Sequence, residues 1–201
     1  MGRRQSLKRK AATRRLRPRH VILCEGKTEA SILDQLRAHW RLSATLIKVV
    51  GECGDPKRLV HLASRYTRGR PDPASAATVH VVFDRDSHHH WHAAIDRARS
   101  LELVLGVSNP CFELWPLLLH RDHTAHIDRH KLQNELRKVH PRYDHKSNPY
   151  LDFVTVVEGM GAAGMRADAL LARAVSLEQD LPNPTTTFHH VLRAIRPGEP
   201  D

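Results

Sequence analysis

Val21-Ile22-Leu23-Cys24-Glu25-Gly26-Lys27-Thr28-Glu29 decides the fold. Four apolar residues run into Glu-Gly, and a helical pattern follows. A short apolar run stopped by a glycine reads as a strand buried on both faces, as in a parallel sheet. Glu25 then stands at the strand's carboxyl end, where open α/β sheets gather ligands and catalytic groups. Further along, Val79-His80-Val81-Val82-Phe83-Asp84-Arg85-Asp86 has the same build and ends in Asp-x-Asp. If the two strands are neighbours, Glu25, Asp84 and Asp86 converge on one edge of the sheet. Three carboxylates there would repel each other unless a cation lay between them.

Outward from these strands the pattern alternates. Residues 19–24 are a strand and 27–41 a helix, with Ile32, Leu33, Leu36 and Trp40 on one face. Residues 44–50 are a second strand. Asp55-Pro56 has the cap-plus-proline signature of a helix start, and that helix runs to about residue 68. Residues 78–83 are the third strand, 86–98 open and carry the third helix, and 101–107 are the fourth strand. Alternation of this kind predicts a doubly wound, four-stranded parallel sheet with right-handed crossovers. After Ser108-Asn109-Pro110 an apolar helix is expected over 111–120. A short amphipathic helix around Leu132, Leu136 and Val139 follows, then a helix over 159–181, a loop at 182–187 and a terminal helix at 188–195. The expected organisation is a basic tail (1–18), an α/β core (19–120) and a helical elaboration packed on it (121–201).

Composition narrows the function classes. The formal net charge is +10, which points to a polyanionic partner, nucleic acid before an anionic membrane. Much of the excess lies in residues 1–19. That stretch is either a solvated tail or a segment that strengthens salt-sensitive phosphate binding. No run approaches a membrane span, and no apolar signal core follows the basic N-terminus, so a cytoplasmic protein is expected. The 3 cysteines, scattered along the chain, fit reduced thiols and not a disulfide framework or zinc site.

Several residues could carry chemistry. Asp84 and Asp86 lie two residues apart on one side of a strand, in reach of a hard cation such as Mg²⁺ or Mn²⁺. Glu29, in the first turn of the first helix, adds a metal ligand or simply favours the helix dipole. Lys27 touches a phosphate at that helix N-terminus or is a surface lysine. Asn109 and Glu113 follow the fourth strand on the same edge of a parallel sheet. A polar Glu113 in an apolar helix needs a partner. It is a metal ligand, a base that activates water, or a buried glutamate paired with an arginine. In the tract from His88 to His92, His88 and His92 share a helix face. A solvated helix start with a histidine free for proton transfer or phosphate contact is favoured there over metal ligation. His189-His190 reads as core or surface.

Glu-Gly-Lys-Thr-Glu after one strand and Asp-x-Asp after a later one resemble the TOPRIM fold of topoisomerases, primases and OLD-family nucleases. Cys24-Glu25-Gly26-Lys27-Thr28-Glu29, Phe83-Asp84-Arg85-Asp86, Ser108 through Trp115 and Asn183-Pro184-Thr185-Thr186-Thr187 together resemble the RloB-like (abortive-infection) family, over about residues 19 to 195. The resemblance implies a divalent-metal site at Glu25, Asp84 and Asp86 serving phosphodiester chemistry. It also implies a nuclease role in anti-phage defence, with RNA, tRNA included, favoured over DNA. Asn183 and Thr186 match the late motif and suggest substrate or helix-cap contacts. A partner or activator protein would suit such an effector. The alternative is a nucleic-acid-binding or regulatory module without catalysis. Small-substrate phosphatase or nucleotide chemistry is a third option, which the basic excess disfavours.

Overall fold

The computed structural model describes residues 19–42, 49–50, 55–67, 77–85 and 90–197. The opening stretch forms strand β1 (Arg19–Cys24), the connection Glu25-Gly26 and the start of helix α1 (Lys27–His39). Strand β2 (Val49–Val50), helix α2 (Pro56–Thr67), strand β3 (Ala77–Asp84), helix α3 (Trp91–Ser100) and strand β4 (Val104–Asn109) follow in alternation. The chain continues as α4 (Leu114–Leu118), α5 (Arg129–Val139), α6 (Phe153–Ser176), strand β5 (Thr185–Thr186) and α7 (Phe188–Ile195). The strand order is β2-β1-β3-β4-β5. β1 pairs in parallel with β2 and β3, and β3 with β4.

Period-2 alternation sends side chains of the central strands to opposite faces. Ile22, Cys24 and Val82 join one core cluster, with Ile32, Leu33 and Leu36 of α1 and the apolar faces of α4 to α7. Leu23, Val79, Val81 and Phe83 join a second cluster beneath α2 and α3. Helices therefore cover both faces, and the strands read as continuous apolar runs for that reason. Gly106 on β4 lies where α7 crosses closely; an added Cβ would sit 2.8 Å from Val191. His80, within the β3 run, is buried and lies 3.0 Å from His20 across the strand pair.

The fold differs from expectation in four places. The sheet has a fifth strand: Thr185-Thr186, expected in a loop, pairs antiparallel with Asn109-Ser108. Two residues are too short to show a period. Instead, side-chain hydroxyls hold this strand. Thr186 bonds Ser108 at 3.0 Å, and Thr187 Oγ1 accepts from Val107 N while donating to Leu105 O. β4 begins at Val104, not residue 101, because Leu101 ends α3 and Glu102 turns the chain at φ 53. α4 covers only Leu114–Leu118, with Pro116 in its first turn, where a missing N–H costs nothing. α6 starts at Phe153, not residue 159. Asp152 caps it by accepting from Thr155 N, and Gly159, the expected start, lies inside it. The expected strand residues 44–48, the tail and the segment 86–89 fall outside the described residues.

Candidate active site

β1 and β3 are neighbours in register, with Cys24 opposite Val82. Glu25 N donates to Val82 O at 2.9 Å, so the β1 end is tied to the β3 backbone. Asp84 N in turn donates to Glu25 Oε2 at 3.3 Å. The Glu25 carboxylate thus lies against the Asp84 backbone at the carboxyl edge. Glu29, in the first turn of α1, is buried and joins them. Gly26 makes room for it: a Cβ there would come within 2.4 Å of Glu29 Oε2. The glycine of the Glu-Gly signature therefore leaves space for a third carboxylate.

These residues line a cleft of about 550 Å³ with Lys27, Thr28, Phe112, Glu113, Arg129, His145 and Lys146. Its acids are strained electrostatically. Burial, then repulsion from Glu113 and Glu25, pushes the Glu29 carboxyl up to about 7. Burial and the charges of Glu29, Glu113 and Glu25 push Asp84 well above the usual carboxylate range. Asp84 Oδ1 is shut off from solvent with no hydrogen-bond partner. A buried acceptor left in that state costs roughly 1–3 kcal/mol, and a cation would relieve both the orphaned oxygen and the repulsion. An all-oxygen donor set suits a hard divalent ion, and Glu25, Glu29 and Asp84 offer only oxygens, though without the mutual 4.8 Å spacing of a ready-made metal group.

Glu113 is the exception among the acids. Burial alone would raise it, but contacts from His145, Cys111 and Tyr143 outweigh that and hold its carboxylate at about 2. Its Oε1 accepts from Gln133 Nε2 at 3.0 Å and Tyr143 Oη at 2.8 Å. His145 Nδ1 lies 2.9 Å from the same oxygen, close enough for an ion pair though not aligned as a hydrogen bond. Of the alternatives for Glu113, the buried, paired glutamate is the one whose partners are on view, and they are a tyrosine, a glutamine and a histidine in place of an arginine. The contact with Glu113 raises His145, and Arg129 Nη2 lies 3.3 Å from its other nitrogen.

Of the residues singled out in the sequence, the fold brings Glu25, Lys27, Glu29, Asp84 and Glu113 to this cleft. Asp86 and His88 lie outside the described residues. Three others are engaged elsewhere. Asn109 Nδ2 donates to Leu181 O at 2.8 Å, and Asn183 bonds both the N–H and the carbonyl of Ile127. Thr186 is buried against Ser108. These motif residues stitch the strand ends to later segments and do not line the cleft. Reading the sequence missed Arg129, His145 and Lys146. The one hint was Tyr143, a large aromatic within a charged stretch.

A second cluster lies between α6 and α7. Asp168, His189 and His190 bring one ligand atom each within 4.8 Å of one another, a spacing that could hold a metal ion. Asp168 is already engaged there: Oδ1 accepts from His189 at 2.9 Å and from Arg193 at 3.1 Å, and Oδ2 from Arg193 at 2.5 Å.

The four sequence motifs now have places: two at the cleft, one running from β4 into α4, one across β5. The model of the RloB-like protein family matches residues 20–195. The chain belongs to the RloB-like family. No curated protein and no solved structure matches it. The family match spans both the cleft carboxylates of this RloB-like chain and the α5-to-α6 region that supplies Arg129, His145 and Lys146. Among the described residues, no helix is long and apolar enough to cross a membrane.

Proposed function

We propose that this chain is a divalent-metal-dependent phosphodiesterase that cleaves nucleic acid, RNA (tRNA included) before DNA. One observation carries the reading. Glu25 and Asp84 at the ends of two adjacent parallel strands and Glu29 in the first turn of α1 line one cleft, Asp84 Oδ1 is orphaned, and Lys27, Arg129 and Lys146 line the same cleft. The carboxylates would hold Mg²⁺ or Mn²⁺. When bound, such an ion polarises a phosphodiester and lowers the pKa of an attacking water. The basic residues hold the polyanion, in keeping with the net charge of +10. Glu113 stays ionised and, with Tyr143, sets His145 at the cleft wall. A glutamate after β1 beside an aspartate after its neighbour β3 supports a TOPRIM-like core over 19–120. Residues 121–201 then form the elaboration that adds the basic wall. A role as an abortive-infection effector accords with the family resemblance.

The test is incubation of the purified protein with total RNA, tRNA and plasmid DNA, in Mg²⁺, in Mn²⁺ and in EDTA, beside Asp84→Asn. Metal-dependent cleavage lost in the variant is expected, and the cleaved substrate names the class. Full cleavage by folded Asp84→Asn would overturn the site. Tight, salt-sensitive binding without cleavage in any metal would replace the enzyme with a nucleic-acid-binding module.

A further inference from the structure

α2 breaks the charge pattern of the other helices. Elsewhere among the described residues, exposed cations stand against acids: Arg37 with Asp34, Arg99 with Asp180, Arg137 with Asp144, Lys138 with Glu135 and Arg193 with Asp168. α2 holds no acid at all. Its exposed positions are Lys57, Arg58, His61, Arg65 and Thr67. Among the described residues no ion pair holds Lys57, Arg58 or Arg65. Lys57 and Arg58 also sit in the first turn, where the helix dipole disfavours cations. Asp55, just before the helix, accepts from Lys57 N at 2.8 Å as a cap. A charge arrangement set against local stability is expected where a site has been built.

These cations border a groove of about 240 Å³ between α2 and α3. Lys57 and His61 line one wall, Ala93 and Arg97 the other, and no carboxylate is among its described lining residues. A hollow of about 380 Å³ on the outer side of α2 shares Lys57 and His61 and adds Arg58. Arg97 donates only to Ser100 Oγ, at 3.4 Å, while the charge of neighbouring Asp96 acts on Arg99. The fold sets this groove at the edge where the cleft lies. β2 and β3 both run parallel to β1, so α2 and α3, which follow them, begin at the carboxyl edge that carries Glu25 and Asp84. Lys57 and Ala93 stand in the first turns of those helices. Phe83, the residue before Asp84, meets Trp91 at the start of α3 edge to face, with ring centroids 5.6 Å apart. The cleft, with Lys27, Arg129 and Lys146, opens on the α1 and α5 side of β3. The groove opens on the α2 and α3 side. Cations therefore flank the acids on both sides of the strand end.

We propose that the α2–α3 groove holds the sugar–phosphate backbone of the nucleic acid whose scissile phosphate enters the cleft. The inference rests on the phosphodiesterase reading of that cleft. The described lining offers cations and alanines and no tyrosine, tryptophan or phenylalanine face for a base, so the contact is to backbone and is independent of sequence. Fluorescence anisotropy with labelled tRNA and labelled duplex DNA over a salt series tests it, in the cleavage-blocked Asp84→Asn chain as parent. Lys57→Gln, Arg58→Gln and Arg97→Gln together remove three phosphate partners. The slope of log affinity against log salt should then become shallower by about 2–3, since each cation lost takes away ~0.7–0.9. Between about 50 and 200 mM salt the parent should lose roughly 20- to 60-fold more affinity than the triple variant. The variant's melting temperature should equal or exceed the parent's, because cations leave a helix N-terminus. A charge-matched control, Arg37→Gln, Arg173→Gln and Arg196→Gln, lies away from the groove and should keep the parent's slope. A triple variant that binds like the parent would overturn the groove and leave the cleft reading standing. An equal loss in the control would reduce the effect to net charge and overturn the groove as well. A parent that binds neither tRNA nor DNA would overturn both readings. The expected slope change, with no cleavage by wild type in any metal, would keep the groove as a nucleic-acid contact and overturn the enzyme alone.

Discussion

Two places in this molecule gather acids and histidines, and they solve the charge problem in opposite ways. Between α6 and α7, Asp168 has its cation within the chain: Arg193 grips both oxygens and His189 adds a third bond. Those bonds hold its carboxyl down at about 2. At the β1 and β3 ends, Glu29 and Asp84 are pushed the other way by burial and by each other. Among the described residues, only the Asp168 group has its ligand atoms all within 4.8 Å. Spacing alone would choose that cluster as the metal centre. Electrostatics favours the other under the proposed function: an ion at Asp168 would compete with a guanidinium, whereas one at the cleft would offset the repulsion that raises Glu29 and Asp84. Compactness at Asp168 reflects attraction already satisfied within the chain.

The sharpest way to break this contrast is to remove one acid from each place. Asp84→Asn should lower metal-dependent cleavage by a factor on the order of 10³ or more, as expected when electrostatic stabilisation at the reacting group is lost. Its melting temperature should equal or exceed that of wild type, because a repelled, buried charge has gone. Asp168→Asn should leave the cleavage rate unchanged. A swapped pattern, with activity tracking Asp168, would move the active site to α6 and α7.

The next largest effect needs no substrate. With Mg²⁺ or Mn²⁺ at about a hundred times its dissociation constant, binding to the folded state adds about 2.7 kcal/mol. For a domain of this size that is a rise in melting temperature of roughly 5–10 °C. The rise should vanish in Asp84→Asn and shrink in Gly26→Ala, whose Cβ would displace the Glu29 carboxylate, while surviving in Asp168→Asn. Without metal, Asp168→Asn should itself melt lower by about 2–4 °C, the loss of a half-exposed ion pair worth about 1 kcal/mol.

How far the sequence discloses this contrast depends on the residues concerned. β1 and β3 are legible because strands buried on both faces must be apolar throughout, and the acids that stop them stand out. From there, the adjacency of Glu25 and Asp84 follows from parallel winding. The basic wall is not legible. Arg129, His145 and Lys146 come from α5 and the segment after it, and only tertiary packing carries them to the sheet edge. Nothing in their spacing distinguishes them from the surface cations around them. Glu113 was recognisable as a buried acid in need of a partner, but its partners, Gln133 and Tyr143, are set by the docking of α5 on α4. Asn109, Asn183 and Thr186 show the converse. They belong to distinctive motifs, yet their side chains bond to backbone or to a buried serine, so a distinctive motif can mark a structural joint as readily as a site.

The smallest effect concerns His189, and its sign separates the two places again. Burial, then the charge of His190, lowers this ring to about 4 despite the bond from Asp168 that raises it. Arg193, facing the same carboxylate, also disfavours a proton there. In the unfolded chain the ring takes a proton near its ordinary 6.5; in the folded protein it does so only near 4. The unfolded state therefore binds more protons in that window, and stability falls as pH drops through it. Above about pH 5 Asp168 contributes nothing to the fall, because its carboxyl is ionised there in the folded and the unfolded chain alike. Between roughly pH 7.5 and pH 5.5 the loss from this ring should be about 1 kcal/mol. Other buried histidines, His80 among them, add to the total, so the informative quantity is a difference. His189→Gln keeps a donor for Asp168 but cannot titrate, and its melting temperature should fall less steeply with acid than that of wild type. Equal slopes would mean that Asp168 lets the ring ionise in the folded state, which would make the α6–α7 cluster a charged triad and remove the asymmetry between it and the cleft.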